Sequence, residues 1–141
     1  MSLTVTEQRI ELVLPSRIEA IADVAQAAAK FIGQLGLGEE FAFGVDMAVR
    51  EAVTNAVLHG NKQEVEKTVE VTLWNRAGAL EITVRDHGEG FDPGSVPDPT
   101  EAQNLMKSSG RGILFMRTFM DEVEWSHHAE GGTVVRMIKR H

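Results

Sequence analysis

The chain has 141 residues, 43% of them hydrophobic and 25% charged, with a formal net charge of −7 and no cysteine. That length suits one compact domain with a real core, expected over residues 1–141. Without cysteine there are no disulfides or thiolate metal sites, and no run of eighteen apolar residues is present to span a membrane. Residues 1–9 lack the basic-then-apolar order of a secretion signal, so a cytoplasmic location is expected. The acidity speaks against a nucleic-acid partner, which normally requires a basic face. It also sets a condition. An acidic protein that holds nucleotide phosphates needs a divalent cation, backbone N–H groups or local cations to offset them.

In chain order, Ile10 to Leu14 (IELVL) predicts a strand ended by Pro15. Ser16 is placed to cap a helix whose apolar positions are Ile18, Ile21, Ala25, Ala28, Ala29 and Ile32. Gly33, Gly36 and Gly38 break it. A second helix is predicted from about Glu39 to His59, stopped by Gly60-Asn61. The period then changes to two. Val69, Val71 and Leu73, then Leu80, Ile82 and Val84, predict two strands joined by a turn near Ala77-Gly78. From His87 to Ser109 the chain is rich in Gly, Pro, Ser and Asp, a long connection of the kind that is functional or mobile. A helix over about 111–120 and strands at 123–125 and 133–138 complete the order β-α-α-β-β-loop-α-β-β. Short turns between strands imply a mixed, mostly antiparallel sheet, and three helices against it imply a two-layer α+β sandwich.

Three short motifs carry polar chemistry. The first is EAVTNAVLHGN, where Glu51, Asn55 and His59 recur every four residues and so share a helix face. An amide oxygen is a hard neutral ligand suited to Mg²⁺, and a glutamate one turn away is placed to accept a proton from a hydroxyl. The second is DHGEGFDP, directly after a strand. Asp86 at the strand end is placed to accept a hydrogen bond from an exocyclic amine, and Gly88 and Gly90 permit positive φ and close ligand approach. The third is SSGRGI, which opens a helix. Gly110, Arg111 and Gly112 bring free N–H groups, the helix dipole and one positive charge to an anion. Taken singly, the three also read as a solvated helix face, a plain turn and a glycine-containing cap. In this order within one small domain they supply a metal site, a base-recognition site and a phosphate site, which meets the condition set by the net charge.

With these motifs in place the chain resembles the anti-sigma-factor serine/threonine protein kinases. That branch belongs to the ATPase superfamily that also holds histidine kinases, DNA gyrase, the Hsp90 chaperones and mismatch-repair ATPases. The resemblance runs from about Ile10 to Lys139. It includes SGRGILFMRTFMDEV (109–123) and the Gly132-Thr133 pair before the last strand, and EAVTNAVLHG is its most specific piece. It implies a sandwich whose helices share one face of the sheet, with ATP and Mg²⁺ as cofactors. It implies Asn55 as the residue holding Mg²⁺ against the phosphates, Glu51 as general base, and Asp86 on the adenine amine. Gly88 and Gly90 shape the adenine side, Gly110, Arg111 and Gly112 contact phosphates, and Thr133 supports the adenine network. Residues 91–109 become a lid. The implied substrate is an anti-anti-sigma protein, with a sigma factor as the alternative partner and a homodimer through residues 10–35. Two other readings compete: an ATP-dependent partner-binding module without transfer, and a detached histidine-kinase-type ATP-binding domain. His87, His127 and His128 show no metal-ligand spacing, Trp74 and Trp125 are expected to pack in the sheet, and Arg117 is expected at the surface.

Overall fold

The structure, a computed structural model, describes residues 2–5, 8–61, 64, 66–88 and 116–141. In chain order the elements are β1 (Ser2–Val5), β2 (Arg9–Pro15), α1 (Glu19–Leu35), α2 (Glu39–Asn55), a π-helical turn (Ala56–Gly60), β3 (Thr68–Arg76), β4 (Ala79–Arg85), β5 (Glu122–His127) and β6 (Thr133–Arg140). A helical turn over 116–119 precedes β5.

The strands form one six-stranded sheet in the order β1-β2-β3-β4-β6-β5. Every pairing among them is antiparallel, so the expected α+β sandwich carries an antiparallel sheet with no parallel pair among the described strands. The β3–β4 hairpin turns at Ala77 and Gly78, whose φ angles of 53° and 75° are those of a type I′ turn. β1 was not anticipated. It is short, and residues 1–3 offer little apolar pattern, but it pairs with β2 from Ser2↔Val13 to Val5↔Ile10.

Burial alternates strictly along β2, β4 and most of β3 and β6. A period of two sends Leu12, Leu14, Val69, Val71, Leu73, Leu80, Ile82, Val84, Val135 and Met137 to one face. α1 and α2 cover that face with Val24, Ala28, Phe31 and Ile32 from one and Val45, Ala48, Val49 and Val53 from the other. Each buried valine, leucine or isoleucine contributes about 1.5–3 kcal/mol of transfer free energy. The opposite face is polar. There Glu81 accepts from Arg76 at 2.7 Å and Arg136 at 2.6 Å, and the guanidinium groups of Arg9 and Arg76 stand over the Trp74 ring, 4.8 and 3.9 Å from its centre.

Ser16 does not cap α1. Ile18 holds the N-cap position without a side-chain bond, while Ser16 is buried and donates its N–H to the Lys67 carbonyl at 3.0 Å. Gly33 lies inside α1. The helix ends at Gly36, whose φ of 69° is left-handed and whose N–H returns to the carbonyls of Ile32 and Gly33.

Candidate functional site

α2 reaches the site through its C-terminal half. Ala48, Ala52 and Val53 face the core, which leaves Glu51 and Asn55 half-buried at its margin. After Asn55 the helix widens into the π turn, closed by the Asn61 N–H on the Ala56 carbonyl at 2.8 Å. Such turns cost regular hydrogen bonding and concentrate at functional sites. Here the turn breaks the expected line of three: Glu51 and Asn55 keep helical spacing, but His59 follows on the wider turn and is exposed.

Opposite the helix end, β4 delivers Asp86. Its side chain is 5% exposed, and its Oδ1 accepts from the N–H of Gly88 at 3.0 Å and of Thr133 at 3.1 Å. The Asp86 N–H in turn donates to the Thr133 carbonyl at 3.0 Å. One carboxylate oxygen is thus held by two backbone donors, while no bond to the second is made among the described residues.

Three glycines make this packing possible. A Cβ on Gly60 would sit 2.1 Å from Asp86 Oδ2, and one on Gly88 would sit 1.7 Å from the Gly60 carbonyl oxygen. One on Gly132, whose φ is +85°, would sit 1.9 Å from the Asp86 carbonyl oxygen. At Gly88 the need is close approach rather than positive φ.

Between α2 and the sheet lies a narrow cleft, half open to solvent, with an internal volume of about 20 Å³. Asn55, Asp86, Thr133 and Trp125 line it, over an apolar floor of Ala52, Ala56, Val84 and Val135. An apolar slot with a few convergent polar groups is the usual form of a small-molecule site. Trp125, expected as packing, forms part of the wall, and the Arg117 guanidinium stands 5.7 Å from its ring centre. Glu51 lies one turn back along α2, outside the cleft lining. Burial raises its pKa above the ordinary glutamate value, which favours a carboxylate that accepts a proton.

Among the described residues no group of three or more His, Cys, Asp or Glu side chains converges as a metal cage. His87 Nε2 instead meets Glu70 Oε2 at 2.6 Å, with Arg85 3.4 Å from the same oxygen. Gly90, Gly110, Arg111, Gly112 and the expected lid at 91–109 lie outside the described residues. Asn61 escaped sequence reasoning, which took it with Gly60 as a helix stop. It is fully buried, and its Oδ1 accepts from the His87 N–H at 2.8 Å.

A two-layer sandwich whose second helix shares a cleft with the end of a central strand defines a class, and the chain belongs to it: it is a member of the histidine kinase-like ATPase domain family, whose model matches residues 14–139. Within that class it is similar to proteins named anti-sigma F factor. The one from Heyndrickxia coagulans is 34% identical over 137 residues, covering 94% of this chain and 91% of the relative. The one from Clostridium botulinum strain Eklund 17B is 35% identical over 136 residues, covering 95% and 94%. No helix among the described residues is long and apolar enough to cross a membrane.

Proposed function

We propose that this chain is an ATP-dependent serine/threonine protein kinase that also acts as an anti-sigma regulatory factor. The observation that carries the reading is the cleft itself. It gathers Asn55, Asp86 and Thr133, with Glu51 one helical turn away, in a chain of an ATPase family whose relatives are named anti-sigma F factor.

The roles follow from chemistry. Asp86 Oδ2 accepts the exocyclic amine of adenine, and the Thr133 backbone fixes the carboxylate that does so. The apolar floor takes the ring. Asn55 offers a single amide oxygen. That suits Mg²⁺, which takes one or two protein ligands and fills its octahedral shell with phosphate oxygens and water. The ion would neutralise phosphate charge that this acidic protein cannot. Gly110, Arg111 and Gly112 serve the phosphates. In the transfer, the serine or threonine hydroxyl oxygen bonds to the γ-phosphorus as the bond to the β–γ bridging oxygen breaks. ADP leaves with that oxygen, and the hydroxyl proton passes to Glu51. The phosphorylated anti-anti-sigma protein gains about −1.5 to −2 charge, enough to eject it from an interface and leave the kinase free for the sigma factor.

The test is a titration with a fluorescent ATP analogue, with and without Mg²⁺, followed by incubation of radiolabelled ATP with an anti-anti-sigma protein. The expected result is Mg²⁺-dependent binding, lost in Asn55→Ala, and acid-stable label on serine or threonine. Binding without transfer would leave a partner-binding module, and acid-labile label would indicate histidine-kinase chemistry. A native chain that binds no nucleotide overturns the proposal.

A further inference from the structure

We infer that Asn61 is a positioning residue that sets the distance between the base-reading carboxylate of Asp86 and the helix carrying Asn55. The inference rests on the nucleotide-site reading above.

Asn61 is fully buried, and its amide is used at both ends. Nδ2 donates to the Thr68 carbonyl at 2.9 Å, at the start of β3, and Oδ1 accepts from the His87 N–H at 2.8 Å, next to Asp86. Its own N–H closes the π turn on Ala56. One side chain therefore joins the end of the α2 segment, the start of one central strand and the end of its neighbour. No other amino acid of that size offers a donor and an acceptor in one rigid plane.

The contact surfaces make its placement consequential. Asp86 is held from the β6 side by Thr133. On the helix side it meets the bare Cα of Gly60, and the next glycine, Gly88, lies against the Gly60 carbonyl. Neither of those contacts is a hydrogen bond, so each limits how near the two elements come without tying them together. The Asn61–His87 bond ties them. Without it a part-buried backbone donor loses its partner, and the strand end beyond the packed core is no longer tied to the end of the helix. Asp86 would stay bonded to Thr133 of β6 yet lose its set separation from Asn55, so adenine and phosphates could no longer be engaged together at full strength.

A base lacking the amine separates this role from simple stabilisation. Inosine triphosphate presents a carbonyl where adenine has the amine, so the affinity ratio of ATP to inosine triphosphate reads the aim of Asp86. Both affinities are measured by calorimetry with Mg²⁺ for the native chain, Asn61→Ala, Asp86→Asn and the double variant. The expected result is a native preference for ATP that falls roughly tenfold or more in Asn61→Ala. The two substitutions should then be non-additive on the ratio, because Asn61 acts through Asp86. An unchanged ratio in a folded Asn61→Ala, or additive effects, overturns the inference while leaving the nucleotide site standing. A native chain without preference for ATP overturns the adenine reading and the inference with it. Should Asn61→Ala not fold, amide exchange in the native chain decides. The His87 amide is expected to be protected and to gain further protection on Mg·ATP binding, together with the Gly88 and Thr133 amides. Exchange of the His87 amide at the unfolded-peptide rate overturns the inference.

Discussion

α1 and α2 are both 17 residues long and cover the same sheet face, yet they end in opposite ways. α1 closes on itself: a left-handed Gly36 returns its N–H to the last turn, and a Cβ there would meet nothing within 4 Å. α2 opens into a π turn and closes on other elements, through Asn61 to two strands and through Gly60 to Asp86. A helix that caps itself needs only local chemistry. A helix that borrows its ending from the sheet is fixed relative to the sheet, which is what a site shared between the two requires.

The largest effect that tests this contrast is on transfer. Glu51→Gln on α2 is expected to reduce phosphotransfer by about 100- to 10,000-fold while leaving Mg·ATP affinity unchanged, as steady-state and binding assays would report. The base must be ionised to work, and burial raises its pKa. The native rate should therefore fall on acidification starting from a higher pH than an ordinary glutamate would give. A rate that stays level into the ordinary carboxylate range would remove Glu51 from the role.

Next in size are the two helix ends. Gly60→Ala places a Cβ 2.1 Å from Asp86 Oδ2 and is expected to weaken nucleotide binding by about tenfold or more. Gly36→Ala forces alanine to a φ of 69° in open space, a strain of roughly 1–2 kcal/mol. It should lower the melting temperature by a few degrees without touching affinity. Equal losses of affinity in both would erase the contrast.

The smallest effect lies on the far face of the sheet. Burial pushes the Glu81 carboxyl up, but hydrogen bonds and charge from Arg136 and Arg76 outweigh it and hold it below the ordinary value. A lowered folded-state pKa means stability that is present above the ordinary glutamate value and is lost as pH falls through the folded one. Glu81→Gln should cost about 1 kcal/mol at neutral pH in urea unfolding, with the difference vanishing in acid and catalysis unaffected.

The regular parts of this protein were legible because their causes are local. A period of two marked β3 and β4, apolar runs marked β2 and β6, and the Ala77-Gly78 turn lay where the strands required it. Polar types at helical spacing singled out Glu51 and Asn55, and a strand-end aspartate singled out Asp86. What stayed hidden depends mostly on neighbours far along the chain. Ser16 reads as a cap until the helix is seen to start later, with Ile18, two residues on, at the N-cap. Asn61 reads as a stop signal until its amide finds Thr68 and His87. Trp125 packs against the core from β5, as expected, and its place in the cleft wall is what the strand pattern could not show. The tight approach of Gly60 to Asp86 has no signature except glycine itself.

The strand order has a kinetic consequence. β3 and β4 are joined by a two-residue turn, and β5 and β6 lie close in sequence, so each hairpin closes a short loop. The pairing of β4 with β6 brings together residues far apart in the chain, from Arg85 with Val134 to Ala79 with Arg140, and the Asp86–Thr133 bond beside it spans 47 positions. Closing long loops is the slow part of folding for sheets of this kind. Asp86 receives its second backbone donor only when those two hairpins meet, so the proposed binding competence should emerge with a long-range contact rather than with the first secondary structure.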